Sequence, residues 1–73
     1  MREKTIQLLK TINPEVRDGV NLIEEGIIDS FSVVNIVAEI ESEFQIEIDP
    51  EDIISENFES VDNIVSLVKK YLG

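Results

Sequence analysis

Asp29 and Ser30 form the pair in this chain whose types and spacing set up a chemistry. They stand where a loop gives way to an apolar helical pattern, so the Asp29 carboxylate can cap the first turn by accepting backbone N–H groups. Ser30 then takes the first helical position. There, N–H groups without intrahelical partners and the positive end of the helix dipole favour an anion. A hydroxyl at that point suits a phosphodiester, because the helix end stabilises the charge the ester brings. Serine is also a common residue at helix starts, and on residue types alone that plain reading comes first.

Other chemistries fail for want of the residues. The chain has no histidine and no cysteine, which removes Ser-His and Cys-His pairs, disulfides and zinc-thiolate sites. Metal binding would have to be all-oxygen. Acids are plentiful, but no pattern pairs two carboxylates across a pocket, and they read as a solvated face. Asp49-Pro50-Glu51-Asp52 lacks the alternating ligands, central glycine and distal glutamate of a calcium loop. Weak, non-specific divalent binding to the acidic surface is compatible with this. No enzyme activity is expected.

Sixteen acids against six bases give a formal net charge of −10. That balance argues against nucleic acid and anionic lipid as partners, since both need a cationic face. It favours partners with basic docking surfaces, although solubility alone would also account for it. No signal peptide or membrane span is visible, so a cytoplasmic monomer without membrane insertion is expected. At 73 residues the chain reads as a single domain over residues 1–73, with an aliphatic core and no covalent staple.

The elements that must position Asp29 and Ser30 are helical. Thr5, Leu8, Leu9 and Ile12, with Met1 one turn earlier, mark a first helix over residues 2–12, which Asn13-Pro14 stops. The connection from Asn13 to Ile28 is long for so small a domain. Val20, Leu22, Ile23, Ile27 and Ile28 can pin it, with a helical turn inside it and Gly26 supplying an unusual backbone angle. A second helix is expected from Ser30 to about Phe44. Val33, Ile36, Val37, Ile40 and Phe44 form its apolar face, and Ser32, Asn35, Glu39 and Ser42 its polar stripe. Phe31, Val34 and Ala38 follow a separate edge beside Ser30, more apolar surface than one core contact needs.

Ile46 and Ile48 belong to a short extended link. Asp49 and Pro50 then start a short third helix, ending near Ile54 or Ser55. Phe58 plugs the core. Ser60 caps a last helix whose Val61, Ile64, Val65, Val68 and Leu72 face inward, with Lys69 and Lys70 against its dipole and Gly73 closing it. The fold class is therefore all-α: a four-helix bundle with one short helix and a long first loop.

The string Glu24-Glu25-Gly26-Ile27-Ile28-Asp29-Ser30-Phe31, read with the helix after it, resembles the attachment region of acyl and peptidyl carrier proteins. Its core, Asp29-Ser30-Phe31, stands where that family usually has Asp-Ser-Leu. The fuller string is most similar to small free-standing carriers, including D-alanyl carrier proteins; fatty-acid-synthase carriers commonly have one residue fewer between the glycine and the aspartate. The resemblance extends over almost the whole chain in length, helix order and motif position, and implies the carrier-type bundle.

That resemblance implies a 4'-phosphopantetheine arm, taken from coenzyme A and attached to Ser30, with Asp29 as the helix cap beside it. Ser32 is the wrong register, since i and i+2 do not share a helix face. The arm's thiol would hold acyl or aminoacyl groups as thioesters, as in fatty-acid or secondary-metabolite biosynthesis. The implied partners are a phosphopantetheinyl transferase, an acyl- or aminoacyl-loading enzyme, and acyl transferases with basic docking surfaces. Phe31, Val34, Ala38 and Glu39 are the implied docking residues. Asn35 and Ser42 stand where many fatty-acid carriers have acids, so partner choice does not transfer from that branch. A D-alanyl carrier served by an adenylating ligase is the alternative within the class. An unmodified acidic helical interaction module is the alternative outside it.

Overall fold

The computed structural model describes residues 2–73, so the position of Met1 in the first apolar stripe lies outside the described residues. Three α-helices make up the frame: α1 (Arg2–Ile12), α2 (Ser30–Phe44) and α3 (Val61–Leu72). There is no strand among the described residues. Helix α1 packs against both α2 and α3. The core between them is aliphatic around one ring, with Leu9, Ile40, Phe58, Ile64 and Val68 fully buried. The expected inward faces of α1 and α2 are the observed ones: Leu8 and Leu9 are buried on α1, and Ile36, Val37 and Ile40 on α2. None of the described helices is long and apolar enough to cross a membrane.

The short third helix is replaced by two 3-10 turns, Pro50–Asp52 and Ser55–Phe58. Asp49 does cap the first, accepting the Glu51 N–H at 2.9 Å, and Pro50 does open it. Ile53 then leaves helical geometry (φ −86°, ψ 71°), and Ile54 is extended. The second turn packs on α3 and delivers Phe58 to the core.

One packing expectation needs correction. The spacing puts Leu72 inward, but it is 47% exposed; in the last turn of α3 it is Tyr71 that packs against the core. Leu67, on the flank of the same helix, is buried instead, in the same core cluster as Phe58 from the turn that packs on α3. Val16, which the loop pattern did not single out, is buried as well.

The long connection is ordered by specific bonds rather than by apolar contacts alone. The Asn21 side chain accepts the N–H groups of Ile23 (3.1 Å) and Glu24 (2.9 Å), capping the turn expected inside the loop. Gly26 ends that turn at φ +72°, a left-handed conformation that side chains resist. Leu22, Ile27 and Ile28 are buried, and the Leu22 carbonyl accepts the N–H groups of both Ile27 and Ile28. Arg2 adds a tie from α1, pairing with Asp18 in the loop and Asp62 at the start of α3.

Candidate functional site

The site is built from the end of the long loop and the first turn of α2. Asn13, the residue that stops α1, donates its side-chain amide to the Ile27 carbonyl at 2.9 Å. Its own oxygen accepts the Glu15 N–H at 2.9 Å. Together with buried Ile27 and Ile28, this fixes the backbone that leads into Asp29. Asn13 looked like a helix stop in the sequence; its tie to Ile27, fourteen residues on, had no local signal.

Asp29 is the N-cap of α2, in extended geometry, and its carboxylate accepts the Ser32 N–H at 2.9 Å. Hydrogen bonds from the Ser32 backbone and then from its side chain hold the Asp29 carboxyl below the ordinary aspartate range. Ser30 follows as the first residue of α2 and is exposed, whereas Ser32 is half-buried. Ser30 is thus open to solvent at a helix start, a position that favours an anion.

Beside Ser30 an open cleft of about 310 Å³ runs between two walls. One wall is Ser30, Val33 and Val34 on α2; the other is Ile53 and Ile54 on the link between the 3-10 turns, with Ser55 at the start of the second turn. Its lining is mainly apolar side chains, with Asp29 as its one acid. A tether anchored at Ser30 and carrying methyl and methylene groups fits this channel. The residues present therefore fit a phosphodiester-linked pantetheine group.

The edge set is on the surface. Phe31 is 82% and Val34 66% exposed, and Ala38 is exposed too. The large ring at Phe31 thus stands in solvent beside the serine rather than folding into the core. Glu39 is exposed on the turn beyond. From Ser30 to Ala38 the helix carries no charge, in a chain where 30% of residues are charged. Sequence reasoning missed Ile54, which is 47% exposed and faces Val34 across the cleft. The two lie twenty positions apart in the chain, and only the turn geometry brings them together.

Comparison with known proteins agrees with this geometry. A family model described as "phosphopantetheine attachment site" matches residues 2–68. The chain is also similar to the D-alanyl carrier proteins of Lactococcus lactis subsp. cremoris strains MG1363 and SK11. It is 28% identical to each, over 96% of this chain and 94% of theirs. The all-helical frame, the exposed serine at the head of α2 and a match across nearly the whole chain make this protein a member of the phosphopantetheine-attachment family of carrier domains, a family defined by covalently bound 4'-phosphopantetheine.

Proposed function

We propose that Ser30 carries the 4'-phosphopantetheine arm, and that the protein uses it to hold acyl or aminoacyl groups and deliver them to partner enzymes. The observation that supports this most is the exposed Ser30 hydroxyl at the capped start of α2, opening onto an apolar cleft. In the modification step the Ser30 Oγ bonds to the phosphorus on the pantetheine side of the coenzyme A diphosphate. The bridging P–O bond breaks, the adenosine bisphosphate half leaves, and the hydroxyl proton passes to the transferase. The arm's terminal thiol supplies thioester chemistry that a chain without cysteine lacks. This chain's own part is to present Ser30, cap its helix through Asp29, and offer Phe31, Val34, Ala38 and Glu39 for docking. Holding cargo at a docked enzyme on a short tether raises its effective concentration there.

For the cargo, the similarity to D-alanyl carrier proteins supports D-alanine, loaded by an adenylating ligase. In this reading the protein is a cytoplasmic monomer, one domain over residues 1–73, and catalyses nothing itself. Intact mass spectrometry after incubation with coenzyme A and a broad-specificity phosphopantetheinyl transferase is the test. Wild type and Ser32→Ala should each gain one arm, and Ser30→Ala none; an arm on Ser30→Ala overturns the site. The holo protein, given D-alanine, ATP and the ligase, should then gain one alanyl group, and a failure there with another acyl donor succeeding reassigns the cargo.

A further inference from the structure

The two walls of the cleft beside Ser30 are anchored very differently. The α2 wall belongs to a helix of 15 residues whose opposite face is the core. The Ile53–Ile54 wall lies between two short 3-10 turns, with Ile53 half-buried and Ile54 largely exposed. Its own backbone bonds are short-range: the Ile53 N–H to the Pro50 carbonyl at 3.1 Å, and the Asn57 N–H to the Ile54 carbonyl at 3.0 Å. Bonds of that span shape the turns but do not say where the wall stands relative to α2.

Long-range polar contacts on its upstream side come from the last turn of α3. The Tyr71 hydroxyl accepts the Asp49 N–H at 2.9 Å and donates to the Asp52 carboxylate. Lys70 Nζ donates to both oxygens of that carboxylate, at 2.9 and 3.1 Å. Both ends of the first 3-10 turn are thus gripped by two adjacent side chains. Asp52 also relays the grip onward, since its carbonyl accepts the Asn57 side-chain amide at 2.7 Å across Ile53 and Ile54. Downstream, buried Phe58 pins the second turn.

We propose that Tyr71 and Lys70 are positioning residues for the cleft beside Ser30, holding its Ile53–Ile54 wall in place by gripping Asp49 and Asp52. The wall facing the serine is then set by the C-terminal turn of α3, a segment that lines no part of the cleft. Loosening the grip lets Ile53 and Ile54 move away from Val33 and Val34 while the three helices keep their packing. That the cleft serves an arm on Ser30 rests on the carrier reading; the positioning itself does not.

The test uses the full chain labelled for amide NMR, with Tyr71→Phe, which keeps the ring and removes both hydrogen bonds, and Lys70→Met, which keeps the aliphatic stem. Exchange of the Ile53 and Asn57 amides should quicken at least tenfold in Tyr71→Phe, with shift changes at Val33 and Val34 across the cleft. The Ile40 and Ile64 amides, inside α2 and α3, should exchange at the wild-type rate. Lys70→Met should show the same pattern at smaller size. Acceleration spread evenly over all helices would make the grip a general stability element and overturn the proposal. So would changes confined to Asp49, Lys70 and Tyr71. None of these readouts needs the arm, and the mass measurement on wild type tests the carrier reading separately.

Discussion

The Asp29 carboxylate accepts the backbone N–H of Ser32 at 2.9 Å, bracketing Ser30 between the cap and its partner. The serine therefore stands on a turn whose geometry is held from both sides while its own side chain is exposed. This cap and the Asp52 grip have the same electrostatic consequence. Hydrogen bonds from Ser32 lower the Asp29 carboxyl from its ordinary 3.8, and hydrogen bonds from Tyr71 and then Lys70 lower that of Asp52. A carboxyl lowered in the folded state contributes stability that is complete above the ordinary value and is lost as pH falls through the native one. The contributions of Asp29 and Asp52 should thus be intact at neutral pH and lost as pH falls below the ordinary aspartate range, against the relief of carboxylate repulsion that acid brings. In thermal melts Asp52→Asn should flatten the acid slope, and an unchanged slope would show that other carboxylates set it.

Val34 and Ile40 lie on the same helix and should respond oppositely to a charge. Val34 is 66% exposed and Ile40 is fully buried. Val34→Asp should change unfolding stability by no more than about 0.5 kcal/mol, as surface substitutions do. Ile40→Asp buries an unpaired charge and should unfold the domain. In transferase kinetics, Val34→Asp should raise KM at least tenfold, roughly the 1.4 kcal/mol expected if the side chain is covered in the complex. Wild-type kinetics from a folded Val34→Asp would take the residue out of that interface.

Gln45 ends α2 in the left-handed region at φ 54°, its N–H bonded to the Glu41 carbonyl. Side chains pay for this conformation and glycine does not. Gln45→Gly should therefore stabilise the protein by about 0.5 to 1 kcal/mol in urea unfolding, with the slope unchanged. A loss of stability would mean that the exposed glutamine side chain contributes more than its backbone strain costs.

Glu39 and Glu43 are i, i+4 neighbours on α2, a like-charge arrangement that costs about a few tenths of a kcal/mol. Lys4 on α1 relieves one of them, pairing with Glu43 at 3.3 Å. Besides Glu43, the ion pairs among the described residues engage Asp18, Asp52 and Asp62, while the chain holds sixteen acids. Repulsion therefore exceeds local compensation, and salt shortens its range to about 8 Å at physiological strength. The melting temperature should rise from low to moderate salt, and further with millimolar magnesium or calcium. A flat trend would show that charge repulsion does not limit stability.

Local chemistry determined the parts of this protein that depend on neighbours within a turn or two. Both ends of α1 and α2 were legible because Asn13-Pro14, Asp29 and a 3.6-residue apolar period act over a few positions. Ser60 capping α3 and the left-handed Gly26 were legible for the same reason. A surplus apolar edge of Phe31, Val34 and Ala38 on α2 was legible from the spacing, but that it is exposed rather than covered by the loop was decided by the structure. What only the tertiary structure decided involves partners far apart in the chain. Pro50–Asp52 carries sound α-helix start signals, yet Ile53 leaves helical geometry and the segment is a 3-10 turn, whose Asp52 is held by Lys70 and Tyr71 from the far end of the chain. Leu67 rather than Leu72 is buried, in the same core cluster as Phe58 of the second 3-10 turn. The cleft beside Ser30 exists only once Ile53 and Ile54 are set opposite Val33 and Val34. A helical period specifies which face is apolar, but the neighbour that covers it is chosen by the packing of the whole chain.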